Sequence, residues 1–176
     1  KTDLSLPTEQ LTLLRKLHAV NKNIVLVVEN GSAVELKEPA ALSAAILEAW
    51  YPGDRGGDAI ADILFGNVSP SGRLPLGFPE RTSDLPPFDD YEMENGRTYM
   101  YRKIKPLYDF GYGLSYSEFE YSDIKGSAEK VQITVKNIGG YEADEVVQLY
   151  IDSAGLVKQP KYRLKGFKRV HLKPQE

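Results

Sequence analysis

The chain has 176 residues, 41% of them apolar and 27% charged, with a formal net charge of −3; that apolar content can bury a sizeable core and excludes general disorder. No long basic run occurs, which excludes nucleic acid as a natural partner. There is no cysteine and there are 2 histidines, His18 and His171, which removes disulfides and cysteine nucleophiles and leaves almost nothing for a zinc site or a Ser-His-Asp triad.

No apolar run reaches the roughly 20 residues of a membrane span, and the start, Lys1 to Pro7, does not read as a signal peptide. Residues 8–21 read as a helix, with Pro7 at the first helical position and Glu9 in the first turn. Leu11, Leu14, Leu17 and His18 share one face, which makes His18 a half-buried packing residue rather than a ligand. "NIVLVVEN" is a continuous β-branched run, the pattern of a strand buried on both faces. Asn30-Gly31 could close a hairpin, but a helix followed by such a strand favours α/β packing. "AAILEAW" is a second short strand. It holds Glu48, either buried with a shifted pKa or facing out at an edge. After Tyr51-Pro52-Gly53, "GGDAIADILFG" reads as a helix with Ala59, Ile60, Ile63 and Leu64 on its apolar face and Gly66 at its end.

The strand, Gly-rich loop and helix invite a nucleotide reading. Gly53, Gly56 and Gly57 give the wrong spacing, and Asp54 and Asp58 would repel a phosphate. A tight turn with Asp58 near the helix N-terminus is the favoured reading. The long Pro- and Gly-punctuated connection that follows allows one short strand at residues 73–76, and its length suggests a function or a boundary. Then comes "YDFGYGLSYSEFEYS" with Tyr108, Tyr112, Tyr116 and Tyr121, read as an aromatic strap at a domain seam rather than an open sugar platform.

From Glu118 the period becomes two. "KVQITVKN" puts Val131, Ile133 and Val135 on one face. "DEVVQLYI" puts Val147, Leu149 and Ile151 on one face and Tyr150 on the other, with Ile138-Gly139-Gly140 turning between the two segments. "YRLKGFKRVHL" is a further strand with a bend at Gly166. These strands suggest a β-sandwich. Both halves are short of strands, against about five to six for a usual sheet and about seven for an immunoglobulin-like sandwich. The expectation is a part of a larger protein, cut at both ends.

Glycoside hydrolysis needs two carboxylates flanking the scissile bond, about 5 to 9 Å apart. Glu29, Glu48, Asp54, Asp58, Asp89, Asp90, Glu92 and Glu94 are available, but nothing local marks a pair. Asp89, Asp90, Glu92 and Glu94 read as a solvated loop.

"KTDLSLPTEQ", "AILEAWYPGDRGGDAIADILFGNVSPSGRLPLGFP", "NGRTYMYRKIKPLYDFGYGLSYSEFEYS" and "VKNIGGYEADEVVQLYI" resemble consecutive blocks of glycoside hydrolase family 3. The match runs over essentially the whole chain. "NGRTYMY" beside "DLPPFDDYEM" is similar to the bacterial β-xylosidase-like members. The resemblance implies an α/β fold, a partial sandwich domain, followed by an all-β immunoglobulin/fibronectin type III-like sandwich, incomplete at both ends. Residues 1–80 would be the later α/β sandwich domain, 81–117 an aromatic-rich connection and 118–176 the start of the fibronectin type III-like domain. It also implies an exo-acting retaining β-glycosidase of carbohydrate metabolism, removing terminal β-D-glucosyl or β-D-xylosyl residues. The family's nucleophile is a barrel Asp in a Ser-Asp-Trp-like context, which Ser83-Asp84-Leu85 does not match. Its acid/base Glu lies upstream of "KTDLSLP". No catalytic, cofactor-binding or metal-binding residue is therefore assigned, no cofactor is implied, and the isolated chain should be inactive. The implied partners are the remainder of the enzyme, its barrel and the rest of its α/β domain, or a complementary chain. The implied substrate is a β-linked oligosaccharide or aryl glycoside. Oligomeric state and localisation are open, with periplasm or secretion favoured over cytoplasm for the parent. The competing readings are a non-catalytic carbohydrate-binding or adhesion module using the Tyr-rich run, and a nucleotide-binding α/β protein.

Overall fold

The structure, a computed structural model, describes residues 3–127, 129–153, 160 and 162–176. The chain forms two compact units: residues 1–60, 74–112 and 152–163 in one, and 61–73, 113–151 and 164–176 in the other.

The first unit is α/β. Helix α1 (Thr8–Val20) buries Leu14 and leaves Leu11 and His18 half-buried. Pro7 is its cap residue rather than its first helical residue, with an extended ψ of 139° and a carbonyl that accepts from the Leu11 amide at 3.1 Å. His18 Nδ1 lies 2.9 Å from the Leu42 carbonyl, which is the packing role expected of it. Strands β1 (Val25–Val28) and β2 (Ala45–Glu48) pair in parallel, with Val25 opposite Ala45 and Val28 opposite Glu48. Between them lies α2 (Lys37–Leu42), a helix too short for its periodicity to be read in sequence. β1 is not buried on both faces as its apolar run suggested: Val28 is buried, but Val25 is 49% exposed. The sheet has two strands among the described residues, and it is helices packed on the faces, not more strands, that bury a strand on both sides.

Val28, Ala33, Val34, Leu36 and Phe78 make the core, with Leu26, Ile46, Trp50 and Tyr108 packed against it. α3 (Gly56–Leu64) follows a turn closed by a 3.0 Å bond from the Gly56 amide to the Gly53 carbonyl. Residues 73–76 form no strand, because Pro75 has no amide to extend a ladder. Paired backbone contacts replace one: Leu74 N to Tyr112 O, Gly111 N to Leu74 O and Phe78 N to Tyr108 O, each 2.8 Å. Short turns at Thr82–Asp84 and Met93–Asn95 and the brief helix α4 (Thr98–Tyr101) complete the connection.

The second unit carries β3 (Phe119–Gly126), β4 (Val131–Asn137) and most of β5 (Ala143–Asp152) and β6 (Tyr162–Leu172). β3 and β4 are antiparallel, with a register shift between Ser122 and Lys125. β5 pairs with β6 rather than with β4, so the turn at Ile138–Gly140 joins two sheets instead of closing a hairpin. The expected faces hold for Ile133 and Val135, which are half-buried. On β5, however, Leu149 and Ile151 are 39% and 48% exposed, and the buried positions are Ala143 and Glu145. β6 is continuous through Gly166, where nothing lies within 4 Å of the place a side chain would stand.

Buried polar groups hold this unit together. Arg73 Nη2 pairs with Glu145 Oε2 at 2.7 Å, with side chains 13% and 10% exposed. The Tyr121 hydroxyl donates to Glu145 Oε1 at 2.7 Å. Burial, then this bond to a carboxylate, holds the Tyr121 phenol well above its usual range. Gly113 permits the arrangement, because a Cβ there would lie 2.2 Å from the Gly72 carbonyl oxygen and 3.0 Å from Arg73 Nη1. Asn137, fully buried, accepts from Ser117 Oγ at 2.6 Å and donates to the carbonyls of Tyr141 at 2.7 Å and Leu172 at 3.1 Å. At the surface, His171 places Nδ1 2.7 Å from Asp144 and Nε2 2.7 Å from Glu142.

Two outcomes are expected. Phe78→Ala lowers unfolding free energy by about 3 to 5 kcal/mol, while Val20→Ala, at an 83% exposed site, changes it by less than about 0.5 kcal/mol; urea unfolding measures both. The hydrogen bonds to Asp144 and then Glu142 raise the His171 pKa above its usual value. Its stabilising contribution is therefore complete below about pH 6.5 and lost as pH rises through the folded pKa. NMR titration of the imidazole should give the raised pKa, and His171→Ala should abolish that part of the pH dependence of the urea midpoint.

Candidate functional site

Open α/β sheets place ligand sites at the carboxyl ends of their strands. At that end of β1 and β2 stand Glu48, Asn30, Trp50 and Tyr51. Asn30, with its amide nitrogen turned toward both acceptors, donates to the Ser32 carbonyl at 3.2 Å and to Glu48 Oε1 at 3.0 Å. The Trp50 amide donates to the same Oε1 at 3.3 Å. Glu48 is half-buried, and burial, opposed by these two bonds, raises its pKa. Of its two sequence readings, the buried one is the one the structure shows.

Trp50 leaves β2 in the left-handed region, with φ +52°, a strained conformation for a bulky side chain. Its ring is anchored in the core against Phe78, with centroids 5.9 Å apart and planes at 58°. The next residue, Tyr51, is turned outward and is 80% exposed. One side of its ring is backed by Gly31, where a Cβ would stand 2.5 Å from the phenol oxygen and 2.7 Å from a ring carbon. The result is a supported aromatic ring at the same strand ends as a half-buried carboxylate and amide. In the sequence Tyr51 marks only the end of a strand and Gly31 only a turn. The signal present, an aromatic directly after a strand end, has no periodicity to reveal it.

A concavity of about 420 Å³ lies in the connection, lined by Leu85, Met93, Tyr99, Ile104 and Phe110 with Lys105 among them. Tyr99 and Phe110 stack at 4.0 Å with planes 8° apart, so each covers a face of the other. Arg97 is occupied in binding the carbonyls of Asp90, Pro87 and Phe88, and Arg102 pairs with Asp109.

The other sequence candidates are dispersed. Glu29 and Asp54 are exposed, and Asp58 pairs with Arg55 at 3.0 Å. Asp90 organises its own loop, accepting from the Glu92 amide at 3.0 Å and Asn95 Nδ2 at 2.8 Å, while Asp89, Glu92 and Glu94 are exposed. Asp84 caps a short turn by accepting from the Arg81 amide at 3.1 Å. Among the described residues, no group of three His, Asp or Glu could hold a metal ion, and no helix is long and apolar enough to cross a membrane. The tyrosines of the 108–122 run hold internal contacts. Tyr108 and Tyr112 stack at 5.1 Å in the first unit. In the second, the Tyr116 hydroxyl donates to the Ile63 carbonyl at 2.7 Å and Tyr121 holds Glu145.

The chain matches the glycosyl hydrolase family 3 C-terminal domain over residues 1–116 and a fibronectin type III-like domain over residues 145–176. It is 40% identical, over 98% of its length, to a xylan 1,4-beta-xylosidase of Xylanibacter ruminicola, of which it spans 21%. It is 36% identical, over its full length, to a periplasmic beta-glucosidase of Salmonella typhimurium, of which it spans 26%. Among solved structures it superposes over its full length on beta-glucosidase 3B from Thermotoga neapolitana, determined with glycerol, with a TM-score of 0.89, 34% identity and 28% of that chain covered. The chain thus spans about a quarter of the length of the relatives it matches. It belongs to glycosyl hydrolase family 3, with the family's C-terminal domain followed by a fibronectin type III-like domain.

Proposed function

We propose that the chain is the scaffold portion of an exo-acting retaining β-glycosidase that removes terminal β-D-glucosyl or β-D-xylosyl residues. The match over residues 1–116, together with relatives named as beta-xylosidase and beta-glucosidase, carries this reading. Residues 1–80 are the later part of an α/β sandwich domain, 81–117 its connection, and 118–176 the start of a fibronectin type III-like sandwich. Exposed apolar side chains support a larger protein around it. On α1, Leu13, Leu17 and Val20 are 58%, 46% and 83% exposed on one face, the kind of stripe that another element covers.

Both catalytic carboxylates lie outside this chain. In the whole enzyme one carboxylate attacks the anomeric carbon and forms a glycosyl-enzyme. The other protonates the leaving oxygen and then activates water, which gives retention. The partner of this chain is the remainder of the enzyme, and the substrate is a β-linked oligosaccharide or aryl glycoside. The periplasmic relative supports a periplasmic or secreted parent.

The expected outcome is nitrophenol release from nitrophenyl β-xyloside or β-glucoside by the full-length protein and none by residues 1–176 alone. Turnover by the isolated chain would place a catalytic pair within it and overturn the scaffold role. Absence of turnover by the full-length protein on both substrates would overturn the glycosidase reading.

A further inference from the structure

We propose that Tyr51, Asn30 and Glu48 form a binding subsite for a pyranose ring of the β-linked substrate, a role that rests on the glycosidase reading above. A pyranose presents two kinds of surface, a face of C–H groups and an edge of hydroxyls. Such a ligand is held by an aromatic plane together with a few convergent polar groups. The carboxyl end of the β1–β2 pair offers both: Asn30 just after β1, Glu48 at the end of β2 and Tyr51 just beyond it.

The aromatic plane is Tyr51. An exposed aromatic on a mobile loop would lose rotamer entropy on binding. Tyr51 is instead backed by the Gly31 main chain, and the preceding residue is fixed twice, by the left-handed backbone and by the Trp50 ring packed on Phe78. Nothing among the described residues covers most of the ring, which is 80% exposed. The strained Trp50 backbone is what sends one aromatic inward and the next outward.

The polar edge is Glu48 with Asn30. Trp50 and the Asn30 amide hold Oε1, which fixes the carboxylate, while the other oxygen, Oε2, meets only Asn30 at 3.5 Å. A sugar hydroxyl donating to Oε2 would make a charge-assisted bond, the stronger class, in a half-buried setting where water competes less. Substituting Gly31 would displace the Tyr51 ring, so Gly31 is a positioning residue for the platform.

The test uses the full-length protein and two non-cleavable probes, S-linked cellobiose and S-linked xylobiose, with affinity read by calorimetry. Tyr51→Ala should weaken the better-bound probe about tenfold, while Tyr51→Phe, which keeps the ring, stays within about twofold. Glu48→Gln should weaken it severalfold. The melting temperature of Tyr51→Ala should match the wild type, since the side chain is exposed. Equal binding by wild type and Tyr51→Ala, an equal loss in Tyr51→Phe, or no binding of either probe by the wild type would overturn the subsite. Failure of the glycosidase reading is a separate result, seen as absent nitrophenol release whatever the probes do.

Discussion

The packing of Phe78 is the constraint on which the first unit depends. Its side chain is 1% exposed and meets both Trp50 and Tyr108, at 5.9 and 6.4 Å between ring centroids. These three rings come from segments far apart in sequence: the exit of β2, the Pro-rich connection and the aromatic run. Tilted and edge-on contacts of this kind add to the hydrophobic gain of burial. They also fix direction. Trp50 can hold its left-handed backbone only while its ring stays locked inside, and that backbone determines where Tyr51 points. A surface feature is therefore set by a core contact, through a single strained residue.

The second unit is held differently. Its inward positions include a charge pair, Arg73 with Glu145, and a fully buried amide, Asn137. A buried ion pair gains little over apolar packing, but loss of one partner strands the other and is expensive. Glu145 avoids that by accepting from Arg73 and Tyr121 together. Asn137 likewise uses its amide to satisfy the carbonyls of Tyr141 and Leu172, bringing the end of β4, the following turn and the end of β6 to one point. Such groups specify a single arrangement more than they add stability.

Fold class and most elements were legible because they rest on local periodicity. The 3.6-residue pattern marked α1 and α3, and the two-residue pattern marked β4 and β5. What failed to show had no period. α2 has six residues, below the length at which one face repeats. The burial of Val25 and Leu149 depends on neighbouring strands, which alternation cannot report. Pro75 excludes the short strand read at residues 73–76. Nothing local marks Glu145 and Asn137, whose partners lie 72 and 20 positions away in sequence. The same holds for the candidate site, where Glu48 was noticed because it interrupts an apolar strand, while Gly31 and Tyr51 meet only in three dimensions.

The aromatics show why composition misleads about binding. The run from Tyr108 to Tyr121 is the densest aromatic stretch, yet its side chains are engaged with one another, with a carbonyl or with a carboxylate. A ring whose hydroxyl or face is already committed to the fold holds segments together and offers little to a ligand. Tyr51 stands apart in the sequence and has the opposite character. Its support comes from a glycine, which takes up none of the free face, and its position follows from a strained neighbour rather than from its own contacts. A binding aromatic is thus recognised by rigid backing combined with exposure. Gly31 and Trp50 provide that combination at the carboxyl end of the parallel strands, where an α/β unit most readily receives a ligand.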